Sequence, residues 1–129
     1  AEPETARALG LRAGARIVLM ERLGFADDRP VCLSAHHFPA ARLPGLLAAL
    51  GEVRTITAAL RLAGVADYRR KVTRVSARMP GADEARLLRM PHARPLLVCE
   101  NVNVDSEGRV IEFCIARYPT PHVQIVCAP

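Results

Sequence analysis

The stretch from Val102 to Val126, VNVDSEGRVIEFCIARYPTPHVQIV, alternates apolar and polar residues with a period of two and reverses once at Gly108. That period belongs to extended chain half-buried on a sheet, because successive side chains point to opposite faces. A glycine in the loop can adopt the left-handed backbone that a tight reversal needs, so the pattern predicts an antiparallel hairpin. The same strands carry Glu112 and Arg117 among Ile, Phe, Cys and Ala. A lone carboxylate facing a packed interior is strongly disfavoured unless it is paired, hydrogen-bonded or protonated. Glu112 therefore calls for a partner.

Closing the hairpin around DSEG puts Leu96, Val98, Val102 and Val104 on one face with Ile111, Phe113 and Ile115. Leu97, Cys99, Asn101 and Asn103 share the other face with Val110, Glu112, Cys114, Ala116 and Tyr118. Parity leaves Arg117 at the end of the apolar face, where a snorkelling side chain is expected. Cations for Glu112 are available in DYRRKVTRVSARM, residues 67 to 79. There Thr73, Val75, Ala77 and Met79 form a face expected to pack, and Tyr68, Arg70, Arg74, Ser76 and Arg78 form a cationic one. Arg70 and Arg74 are the expected partners of Glu112, either as a plain sheet-face ion pair or as part of a ligand site.

The rest of the chain supplies more strands and short helices. RIVLMERLGF alternates Ile17, Leu19 and Leu23 against Arg16 and Arg22, ADDRP supplies turn formers, and VCLSAHHF resumes the extended pattern, which makes a second hairpin. Helices are expected at the N-terminus, from Leu46 to Gly51, from an N-cap at Thr55 to Gly64, and across the acidic start of PGADEARLL. HVQIVC reads as a last strand. The count is about six strands and three or four short helices, mostly joined by tight turns. That argues for an α+β domain with a mostly antiparallel sheet rather than for βαβ crossovers. A chain of 129 residues suits one domain with a core of its own, spanning 1–129.

Composition removes several function classes. Two Tyr, three Phe and no Trp, scattered along the chain, do not make a base-stacking platform. Lys71 is the one lysine among 18 cationic residues, and a net charge of +5 names no partner by itself. Cys32, Cys99, Cys114 and Cys127 show no metal-like spacing and read as free thiols in a cytoplasmic protein. His36 and His37 point to opposite faces of their strand, His36 sharing its face with Ser34, and no metal site is expected. His92 and His122 fall in turns. No signal peptide, membrane span, G-x-S-x-G, H-E-x-x-H or phosphate-binding glycine loop is present.

Two blocks nevertheless carry a family resemblance. PVCLSAHHFPAARLPGL resembles the block of UTRA domains that runs from a Pro-Val pair to a Pro-Gly-Leu turn. DEARLLRMPHARPLLVCENVNVDSEGRVIEF is similar to the same family's acidic helix, its Pro-Leu-Leu strand and its Gly-Arg-Pro-Val-Glu-Tyr hairpin. UTRA domains are the effector-binding halves of GntR-superfamily transcription regulators of the HutC subfamily, and IARYPTPHVQIV resembles the branch that represses phosphorus-uptake genes. The resemblance implies a chorismate-lyase-like fold and a small anionic effector: a phosphonate, phosphate ester or carboxylate. It further implies a homodimer, no cofactor, no catalysis, and operator DNA contacted only through a separate N-terminal winged helix-turn-helix domain absent from these residues. The family's ligand-facing arginine falls on Arg70 with Arg74 beside it, and Glu112 keeps the family's carboxylate. Cys114 replaces the usual serine, Ser34 and His36 line the side, and Arg117 completes the expected ligand set. A chorismate-lyase-type enzyme and a dimerisation module with a vestigial pocket are the competing readings.

Overall fold

The computed structural model describes residues 1–128. Four α-helices, one 3-10 turn and five strands follow in the order α1 (Pro3–Leu9), β1 (Ile17–Ala26), β2 (Arg29–Pro39), 3-10 (Ala40–Arg42), α2 (Leu46–Glu52), α3 (Ile56–Leu62), β3 (Tyr68–Arg78), α4 (Ala82–Leu87), β4 (Leu96–Asp105) and β5 (Val110–Pro119). The fold is α+β, with an antiparallel sheet ordered β1-β2-β5-β4-β3. No helix among the described residues is long and apolar enough to cross a membrane.

Both expected hairpins form, each from local turn chemistry. Asp27 and Asp28 both take the left-handed region, at φ 50° and 65°. Two such residues in succession make the turn whose twist matches paired strands, and aspartate tolerates that backbone better than bulkier residues do. Gly108, at φ 81°, closes β4 onto β5. Asp105 braces that loop by accepting from the backbone N–H of Glu107 and of Arg109, and from Arg109 Nε, each at 2.9 Å. Burial raises the Asp105 pKa, but the Arg109 N–H, the Arg109 guanidinium and the Glu107 N–H outweigh it and hold the carboxyl below its ordinary value.

The chain divides into two compact units. Unit 1 comprises residues 1–20, 36–73 and 101–114. Its core is Phe38, Leu43, Leu46, Ala49, Ala59, Leu60 and Ile111, with Val18, Met20 and Tyr68 packed against it. Thr55 caps α3 by accepting from the Ala58 N–H at 3.1 Å, as the sequence leads one to expect. Unit 2 comprises residues 21–35, 74–100 and, among the described residues, 115–128. Its core is Leu33, Ala85, Leu88, Met90, Leu96 and Val98, with Leu23, Leu87 and Ile115 packed against it. Ile115 thus shares its face with Leu96 and Val98, the pairing read from the hairpin's parity.

Three expectations are corrected. The sheet has five strands, because HVQIVC alternates but joins no ladder, and Val126 is largely exposed. On β1 the residues that pack on the unit 1 core are Val18 and Met20, whereas Leu19 is half exposed. On β3 the face expected to pack is open, with Val75 49% and Met79 52% exposed, and the inward residue is Tyr68 of the opposite parity. Tyr68 is held there by a 2.7 Å hydrogen bond between its hydroxyl and that of Thr57 on α3. β1 and β3 are the two edges of the sheet. Parity says which side chains lie together, but only the placement of helices decides which side of an edge strand is covered.

Candidate functional site

Strand order places β2, β5, β4 and β3 side by side. One polar side chain from each joins a continuous row within unit 1. His36 Nδ1 on β2 lies 2.6 Å from Glu112 Oε2 on β5. Asn103 Nδ2 on β4 donates to Glu112 Oε1 at 2.8 Å, and Arg70 Nε on β3 donates to Asn103 Oδ1 at 2.8 Å. Arg70 Nη1 donates further to Asn101 Oδ1 at 2.9 Å and to Thr73 Oγ1 at 3.2 Å, and the Thr73 hydroxyl donates to Asn101 Oδ1 at 2.8 Å.

Each partner in this row follows from elementary donor and acceptor counting. An ionised carboxylate can only accept, so it takes one hydrogen bond from the histidine ring and one from the asparagine amide. The guanidinium can only donate, so the Asn103 amide must turn its oxygen toward Arg70 and its nitrogen toward Glu112. Glu112 has a side chain only 5% exposed, and it satisfies the demand that its apolar strand context imposes. Its direct side-chain partners are His36 and Asn103, which corrects the expectation of Arg70 or Arg74. Arg70 reaches Glu112 only through Asn103.

Cys114 is buried one strand repeat beyond Glu112, with its Sγ 3.9 Å from His36 Nε2. His37, on the opposite face, donates from Nδ1 to the Phe113 carbonyl at 2.9 Å. Of the candidates read from the sequence, Arg70, Glu112, His36 and Cys114 fall in this one cluster. Asn101, Asn103 and Thr73 complete it. The two asparagines had been placed on the Glu112 face by parity, and that shared parity is the signal that finds them.

Ser34, Arg74 and Arg117 belong to unit 2. Ser34 is buried and Arg74 exposed. Arg117 donates from Nε to the Leu33 carbonyl at 3.2 Å and from Nη1 to Glu84 Oε2 at 3.1 Å. Glu84 also accepts both terminal nitrogens of Arg78 at 2.7 Å and the Gly81 N–H at 2.9 Å. The Arg78 fork is the main force holding the Glu84 carboxyl down at about 2; partial burial opposes it, and Gly81 and Arg117 add to it.

Unit 1 also holds a cavity of about 550 Å³ whose polar lining includes Arg42, Asp67, Asp105, Ser106 and Arg109. Arg42 is committed within it, donating to the carbonyls of Leu9 at 3.2 Å and Val110 at 2.7 Å. Arg70 does not line this cavity; it is exposed on β3.

Residues 1–124 match the model of the UTRA domain. The chain belongs to that family. This UTRA domain is 28% identical over 125 residues, 97% of its length, to an HTH-type transcriptional regulator of Rhizobium meliloti, of which the match covers 51%. It is 30% identical over 112 residues, 87% of its length, to the HTH-type transcriptional repressor PhnF of Mycolicibacterium smegmatis, of which 46% is covered. The crystal structure of the effector domain of PhnF from Mycobacterium smegmatis superposes with a TM-score of 0.85 at 27% identity, covering 99% of this chain and 80% of that one. The UTRA domain spans about half the length of these curated relatives. Those relatives are transcriptional regulators, and the fold is that of their effector domains.

Proposed function

We propose that this UTRA domain senses a small anionic metabolite through the Arg70 row and modulates operator binding by a longer, homodimeric, cytoplasmic regulator. The observation that carries the reading is the state of Arg70. Its Nε and Nη1 are tied to Asn103, Asn101 and Thr73, while Nη2 bonds nothing among the described residues. A guanidinium held in place by neutral amides keeps its full charge for a ligand, and it loses little side-chain freedom when an anion arrives. Asn101 and Thr73 beside it supply neutral polar contacts. Behind them Glu112 and His36 offer an acceptor and a second titratable group for a hydroxyl or amine on the same molecule. A phosphonate, a phosphate ester or a carboxylate suits such a set, since each presents two or more oxygens to the guanidinium fork. Ligand binding would then shift the regulator's affinity for DNA by a coupling of typically about 1–3 kcal/mol.

A thermal-shift series with inorganic phosphate, methylphosphonate, a sugar phosphate and a dicarboxylate tests this. At least one anion is expected to raise the melting temperature, and Arg70→Ala is expected to abolish the shift while Arg74→Ala, which lies outside the row, leaves it in place. Equal stabilisation of the wild type and Arg70→Ala would sink the reading.

A further inference from the structure

The row described above has a branch that metabolite sensing does not use. His36 presents its two ring nitrogens to different partners: Nδ1 to Glu112 at 2.6 Å and Nε2 to Cys114 Sγ at 3.9 Å. Because the carboxylate can only accept, Nδ1 carries a ring proton, and Nε2 is the ring nitrogen left to face the thiol. Asn103 holds the other carboxylate oxygen, so the orienting group is itself oriented. A nucleophile beside a base, with the base fixed by a third group, is the arrangement that converts a weak thiol into a nucleophile.

The donor atoms of His36, Glu112 and Cys114 lie within 4.8 Å of one another, which also raises the question of a metal. The arrangement argues against one. Nδ1 and Oε2 already meet at 2.6 Å, and the sulfur faces the other nitrogen. A zinc ion at roughly 2.0–2.3 Å from each donor needs all three aimed at one point.

We propose that Cys114 is a reactive thiol, activated by His36 with Glu112 as the positioning residue, and that it captures small α,β-unsaturated carbonyl compounds by conjugate addition. The thiol proton passes to Nε2. The thiolate forms a C–S bond at the β-carbon as the C=C π bond breaks, and the imidazolium returns the proton to the α-carbon. Nothing leaves, and no oxidant, reductant or further reactant is consumed. Cys114 is only 6% exposed, which restricts the reaction to small electrophiles.

The test is timed labelling of the 129-residue chain with methyl vinyl ketone at neutral pH, read by intact mass and peptide mapping. Cys127, which is exposed, serves as the internal reference. The Cys114 adduct is expected to form faster than the Cys127 adduct despite its burial. His36→Gln and Glu112→Gln should each slow it by about tenfold or more, the size of a general-base contribution at its lower end, with the Cys127 rate unchanged. Loss of folding would bring Cys114 to about the rate of exposed Cys127, so the cooperative thermal unfolding of each variant is recorded alongside to show that the fall occurs in folded protein. Labelling of Cys114 no faster than Cys127, or at an undiminished rate in His36→Gln, overturns the proposal. No anion is present in this experiment, so its outcome is separate from that of the thermal-shift series.

Discussion

Glu84 shows what two guanidinium groups do to a partly buried carboxylate. Its folded pKa is about 2 against an ordinary 4.5. A carboxyl whose pKa is depressed on folding contributes stability above its unfolded value and loses that contribution as pH falls toward the folded one. Glu84 should therefore support unit 2 fully above about pH 4.5 and progressively less down to about pH 2, by about 1–2 kcal/mol once solvent screening of the half-exposed Arg78 is allowed for. Denaturant titrations from pH 7 to pH 3 on the wild type and Glu84→Gln check this: the gap between the two should narrow as the pH drops. Glu112 was readable in the sequence as a group needing a partner, because it stands in an apolar strand. The identity of that partner was not readable. Charge alone nominated Arg70 and Arg74, whereas adjacency of strands chose His36, 76 residues away along the chain.

At the scale of elements, what depends on neighbours in sequence could be read directly. The two hairpins, the Thr55 cap and the parity of β4 against β5 are all local, and all are present. What depends on coverage could not be read: the open face of β3, the outward Leu19 and the unpaired HVQIVC each obey a strand rhythm without the partner that the rhythm assumes. The turns give a pair of predictions of opposite sign. Gly108 sits at φ 81° with open space where a Cβ would go, so Gly108→Ala meets only backbone strain and should cost about 1–2 kcal/mol. Asp28 holds φ 65° without being glycine, so Asp28→Gly should stabilise by up to about 1 kcal/mol. Thermal unfolding of both variants would show one midpoint falling and the other rising, and movement in the same direction would contradict the turn assignments.

For the molecule as a whole, the net charge of +5 invites a reading as a nucleic-acid binder that the placement of its arginines opposes. Arg78, Arg86, Arg109 and Arg117 are paired with carboxylates of their own chain, which offsets part of that charge. Affinity for a duplex depends on cations available to displace counterions from phosphates. The isolated domain is accordingly expected to leave a DNA duplex unretarded in a mobility-shift assay at about 0.15 M salt, where surface charges more than about 8 Å apart are screened; a retarded band would return operator contact to this domain. The row from His36 to Arg70 has one more implication, for synthesis. Its members are drawn from residues 36, 70, 103 and 112, so the carboxylate that anchors it leaves the ribosome last. If the proposed function holds, a growing polypeptide would stay blind to its metabolite until residue 112 has been translated, and a truncation before that position would yield a domain without the anchor of the row.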